Sequence, residues 1–123
     1  MHTGLLLGLA VPAVVSAQLH ELAQAAGLDF FGAAIGEGNT NDSEYMAIAS
    51  DTSEIGQLTP ENGQKWDATE PNRGQFNFQQ GDIVAGIAAQ NGQLLRCHTL
   101  TWYSQLPGWG ESDRYLSLMY VGA

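Results

Sequence analysis

Two short clusters hold the residue types that grip a polar, ring-shaped ligand. The first is Glu61, Asn62 and Lys65, a carboxylate, an amide and an ammonium that together can accept from and donate to vicinal hydroxyls. The second is the stretch 96–109, RCHTLTWYSQLPGW. There an apolar run carrying Cys97 and His98 gives way to Trp102, Tyr103, Ser104 and Gln105, then a Pro107-Gly108 turn closed by Trp109. Indole faces stack on the apolar faces of sugar rings, and the side-chain amide of Gln105 adds a polar contact. Spacing alone leaves plainer readings open: a solvated turn at 61–65, a core histidine at 98, and indoles that only pack.

Other chemistries find no constellation. Glycoside hydrolysis usually needs two carboxyl groups, about 5–5.5 Å apart when configuration is retained. Glu61 is the one acid within either cluster, and Asp67 and Glu70 only follow it. There is no serine-histidine-acid order and no phosphate-binding glycine loop. Cys97 is the single cysteine, so no intrachain disulfide can form, and its apolar neighbours predict a buried, inert thiol. His20 and His98 are far apart in sequence, which gives no metal site. The expectation is no metal and no cofactor.

Elements must bring the two clusters together. Leu19, Leu22, Ala23 and Ala26 recur at helical spacing up to Gly27. Residues 29–35, DFFGAAI, read as a fully buried strand. Asn41 followed by Glu44 reads as a capping box opening a helix through Ala49. A strand is expected over 54–58, with the chain turning at Thr59 before Pro60. A helix is expected over 82–90, with Ile83, Val84, Ile87 and Ala88 on one face and Gly92 as its stop. Another strand is expected over 94–100, its alternation sending His98, Leu100 and, if the strand continues, Trp102 to one side. Alternating strands and helices predict α/β architecture with about three parallel strands. Both clusters follow strands, so both fall at the carboxyl end of the sheet, where such folds bind ligands.

Charge and composition bound the partners. The chain has 123 residues, 44% of them hydrophobic, and a formal charge of −9, which places it among acidic globular proteins of one modest domain. That balance argues against nucleic acid and against an anionic membrane surface. Residues 1–17 read as a secretory signal peptide: a short polar start, an apolar stretch from Leu5 to Val15, and small residues Val15 and Ala17 at the cleavage positions. The expected product is secreted and extracellular, and Asn41-Asp42-Ser43 is then a glycosylation sequon.

LTPENGQKWDATEPNRGQFNF (58–78) and RCHTLTWYSQLPGW (96–109) resemble glycoside hydrolase family 10, the endo-β-1,4-xylanases, in their secreted fungal form. GLDFFGAAIG (27–36) is similar to that family's first barrel strand. The resemblance spans residues 19–109 and implies the N-terminal part of a (β/α)8 barrel, about three βα units of it. It also implies xylan or xylooligosaccharide as substrate and retaining hydrolysis by two glutamates, in a monomer when the barrel is whole. By that resemblance Glu61, Asn62 and Lys65 line the subsites that hold xylose hydroxyls nearest the cleavage point. His98, Trp102 and Gln105 wall the sugar under attack, and Trp66 packs beneath the loop. Tyr103 stands where the family usually has His. The pattern fades over 110–123, read as a divergent tail, and the family's acid/base and nucleophile glutamates belong to later strands. The expectation is a fragment without catalytic residues, with a non-catalytic secreted carbohydrate-binding protein as the alternative.

Overall fold

The computed structural model describes residues 17–111. The predicted leader, except Ala17, and the tail beyond Glu111 lie outside the described residues. The sheet has three parallel strands in the order β1 (Gly32–Ile35), β2 (Gln57–Pro60), β3 (Leu94–Leu95). Register runs from Gly32 opposite Gln57 to Ile35 opposite Pro60, with Gln57 and Leu58 opposite Leu94 and Leu95. The α/β class and the parallel, alternating order are those expected from the sequence.

Helix α1 (Leu19–Ala25) stops as the spacing predicts. The Leu28 amide donates back to the Ala23 carbonyl at 3.0 Å and that of Gly27 to Gln24 at 2.9 Å. This reversal needs the left-handed backbone of Gly27, whose φ is +86°. Two local features hold α1 on the sheet. The Glu54 carboxylate accepts from the amides of Gln18 and Leu19 at 2.8 and 3.2 Å. His20 Nδ1 accepts from the Phe31 amide at 3.1 Å, its ring lying where a side chain on Gly56 would otherwise sit.

Helix α2 (Ser43–Ala49) opens one residue later than the capping box suggests. The Asp42 carboxylate, not Asn41, accepts from the amides of Glu44 and Tyr45 at 3.0 and 3.1 Å. Asp is as good a cap as Asn, so sequence did not separate the two. A single-turn helix α3 (Trp66–Thr69) follows β2, and α4 (Gln79–Asn91) ends at Gly92, where φ is +71°. A short turn of helix, α5 (Gly108–Glu111), closes the described chain.

The core lies between one face of the sheet and helices α2 and α4. Ile35, Leu58, Ala49, Ile55, Val84 and Ala88 are buried together. Ile87 is only half-buried and Ile83 is exposed, so the predicted apolar face of α4 is narrower than its sequence pattern. Gln93 is buried in this layer, and its Nε2 donates to the carbonyls of Ala49 at 2.8 Å and Ile55 at 2.7 Å. Both amide hydrogens thus join the end of α4 to the α2–β2 connection.

Three expectations are corrected. β1 is not buried on both sides: its burial alternates, with Ile35 buried and Gly32 and Ala34 exposed, and Phe30 and Phe31 are exposed before it. Among the described residues helices cover one face only, and a strand is doubly buried only when both faces are covered. β2 starts later than predicted and runs through Pro60, because the extended backbone that proline imposes on Thr59 is also strand backbone. β3 pairs over two residues, so the alternation argument for 98–102 has no strand to act on. Leu100 is 92% exposed while His98 and Trp102 are half-buried, and Cys97 is exposed, not buried.

Candidate functional site

The loops after β2 and β3 meet at the carboxyl end of the sheet, as their order predicts. A cleft of about 480 Å³ lies there, lined by Ala34, Thr59 and Pro60 from the strands and by Glu61, Asn62, Lys65, Arg96 and His98. Ala34 and Thr59 belong to the sheet face that the helices leave free, so the cleft floor is small and partly polar.

Lys65 is the centre of the site. It is 8% exposed, unlike a lysine in a solvated turn. Its Nζ donates to Asn62 Oδ1 at 3.0 Å and to Gln105 Oε1, and lies 4.6 Å from the centre of the Trp102 ring. Trp102 is edge to face with Tyr103 at 5.3 Å and tilted against His98 at 6.4 Å. Lys65, Asn62, His98, Trp102 and Gln105 therefore form one connected group across forty-three positions of sequence. Glu61 is anchored through its main chain, its amide donating to the Ile35 carbonyl at 3.0 Å. Its carboxylate stands over Gly36, where an added Cβ would come within 2.9 Å of Oε2.

Residues that the spacing did not single out hold these in place. Glu37 Oε1 accepts from the Gly63 amide at 2.7 Å, and a Cβ on Gly63 would sit 2.7 Å from the Gln80 carbonyl carbon, so the turn closes only around glycine. Gln64 Oε1 accepts from the His98 amide at 3.3 Å, tying the second loop to the first. Arg96, two residues before His98, adds a second cation to the cleft rim. Its place in the 96–109 stretch was the one available signal, whereas Glu37 and Gln64 show their roles only through folded contacts. Trp66 does not line the cleft, and its indole N–H donates to Glu70 Oε2 at 2.8 Å. Trp109 packs edge to face on Trp66 at 5.4 Å. Glu70 is held below the usual glutamate range by the Gly74 amide, then by the Trp66 N–H and the nearby Arg73 guanidinium. Asn41, the sequon asparagine, is exposed in the turn before α2.

Among the described residues no group of three or more His, Cys, Asp or Glu is placed to hold a metal ion, and no helix is long and apolar enough to cross a membrane. The cleft carries one carboxylate, that of Glu61, with amide, ammonium, guanidinium and imidazole groups around it, while Trp102 and Gln105 do not line it and join it through Lys65. Such a set offers hydrogen bonding and stacking to a hydroxyl-rich ring.

The family model described as glycosyl hydrolase family 10 matches residues 18–119. The chain belongs to glycosyl hydrolase family 10. It is 70% identical over 104 residues to endo-1,4-beta-xylanase 1 of Humicola insolens, a stretch covering 84% of this chain and 24% of that enzyme. Among solved structures it superposes on xylanase 10B from Thermotoga petrophila in complex with xylobiose. There the TM-score is 0.69 and identity 32%, covering 81% of this chain and 31% of that one. The family 10 xylanase from a Bispora species, also with xylobiose, gives a TM-score of 0.68 at 36% identity, covering 74% of this chain and 28% of that one. The chain thus spans about a quarter of the length of the curated relatives it matches, and its open three-stranded sheet corresponds to part of the family 10 barrel.

Proposed function

We propose that this chain supplies the sugar-binding wall of a secreted endo-1,4-β-xylanase, which cleaves internal β-1,4-xylosidic bonds of xylan with retention. The observation that carries the reading is the closure of Asn62, Gln105 and Trp102 on the buried Lys65 beside Glu61 and His98. It occurs in a family whose solved members include two with xylobiose. In this reading Glu61, Asn62 and Lys65 hold the hydroxyls of the xylose next to the scissile bond, while His98, Trp102 and Gln105 wall the ring under attack. Residues 1–17 act as the leader, and Asn41 is the glycan acceptor.

Retaining hydrolysis needs a second carboxyl group across the bond, and among the described residues Glu61 is the one acid lining the cleft. That observation favours a second reading for the 123-residue chain alone: it binds xylooligosaccharide without cutting it, the acid/base and nucleophile belonging to later strands of a whole barrel. Titration calorimetry with xylotriose and a reducing-sugar assay on xylan, both on the purified chain, test the two readings together. Binding with no sugar release above a heat-killed control is expected. Release of reducing sugar would overturn the non-catalytic reading, and absence of binding would overturn the proposed site.

A further inference from the structure

Glu70 serves both loops of the cleft without lining it. Its two carboxylate oxygens accept from the Trp66 indole N–H and the Gly74 amide, each at 2.8 Å. Its main-chain carbonyl accepts from the Trp109 indole N–H at 2.9 Å. The two indoles meet edge to face at 90°, and the Arg73 guanidinium lies 5.4 Å over the Trp109 ring. The segment 65–70 is therefore gripped at both ends by the same loop. At its start Lys65 holds Gln105 and faces Trp102, and at its end Glu70 holds Trp109. Between these points the segment is stiffened by one helical turn, with the Glu70 amide donating to Trp66 and the Thr69 hydroxyl donating to the Lys65 carbonyl.

We infer that Glu70 is a positioning residue for the cleft: by clamping Trp66 and Trp109 it sets where Trp102 and Gln105 meet Lys65. The ligand rests on the xylose reading above; the mechanical linkage does not. Two acceptor oxygens facing two N–H donors is an arrangement that glutamine cannot reproduce, because one oxygen becomes an NH2 group set against a donor.

The test is Glu70→Gln in the full chain, followed by far-UV circular dichroism, indole N–H resonances and xylotriose titration. The expected result is a native dichroism spectrum, a shifted Trp102 indole resonance with loss of its cross-peak to Lys65, and an affinity about ten-fold weaker. Trp102 is the deciding signal, since Glu70 has no described contact with it and a purely local role would move Trp66 and Trp109 alone. A folded variant with Trp102 unmoved overturns the inference. A moved Trp102 with unchanged xylotriose affinity overturns its bearing on sugar binding. If the unaltered chain binds no xylotriose, the function reading fails, and the Trp102 resonance still decides the linkage. If Glu70→Gln loses its fold, Trp109→Phe, which removes the N–H donated to the Glu70 carbonyl and keeps a smaller aromatic ring, decides on the same readouts.

Discussion

The Lys65 ammonium lies 4.6 Å from the centre of the Trp102 indole, joining two residues thirty-seven positions apart. A cation over an indole face contributes about 0.5–2 kcal/mol, and here the same nitrogen also orients two amide oxygens. Burying an ammonium costs stability, whereas presenting it to sugar hydroxyls serves binding. Lys65→Met keeps length and apolar volume, so its thermal midpoint should equal or exceed that of the unaltered chain. Its xylotriose affinity should fall ten-fold or more. Differential scanning calorimetry and titration calorimetry on the same preparation check the split.

Gly56 is open to a similar test on stability alone. A Cβ there would stand 2.2 Å from His20 Cε1, so Gly56→Ala must expel the ring and break its hydrogen bond from Phe31. The ring is the far end of a half-buried side chain and can swing aside, so the cost is that of one exposed hydrogen bond, at most about 1 kcal/mol. Urea unfolding should show that loss. The double variant His20→Ala, Gly56→Ala should cost no more than His20→Ala alone, because the two positions are in contact and their effects are not additive.

The α2 cap separates two adjacent candidates. Asp42→Ala should cost about 1 kcal/mol in urea unfolding, the usual worth of a lost cap. Asn41→Ala should lie within about 0.5 kcal/mol of the unaltered chain, as exposed substitutions usually do.

The difference between Asn41 and Asp42 shows what the sequence could and could not disclose. Patterns governed by local backbone physics were legible: the stops at Gly27 and Gly92, the alternation of strand and helix, and hence the meeting of the 61–65 and 96–109 stretches. Family resemblance then marked Glu61, Asn62, Lys65, His98, Trp102 and Gln105 for the cleft, and the structure brings all six to the same end of the sheet. What depends on which surfaces end up covered was not legible. Cys97 and Leu100 have the composition of a buried strand, yet they are exposed because the ladder stops at Leu95. Glu37, Gln64 and Gln93 act on groups 26 or more positions away, which no local pattern records.

Acid should loosen the fold in a definite direction. Asp51 is held low by the Ser53 hydroxyl and amide, and Glu70 by the Gly74 amide and the Trp66 N–H. A carboxyl depressed in the folded state binds protons more readily when unfolded. Its contribution is therefore complete above the unperturbed values, about 3.9 for Asp and 4.3 for Glu. It is lost as pH falls through the lower folded values. Urea midpoints measured from pH 6 to pH 2.5 should decline below about pH 4.3, and the decline should be shallower in Asp51→Asn.

The buried amide of Gln93 has a consequence for the order of events in folding. Its two hydrogen bonds reach back 44 and 38 positions, to Ala49 and Ile55. Closing loops of that length costs entropy before the contacts repay it, and we predict that these bonds form after the folding barrier. In a stopped-flow chevron, Gln93→Ala should steepen escape from the native basin by raising the unfolding rate, while the refolding limb stays where it was. That outcome would make the residue a latch that sets how long the fold lasts, not how quickly it is found.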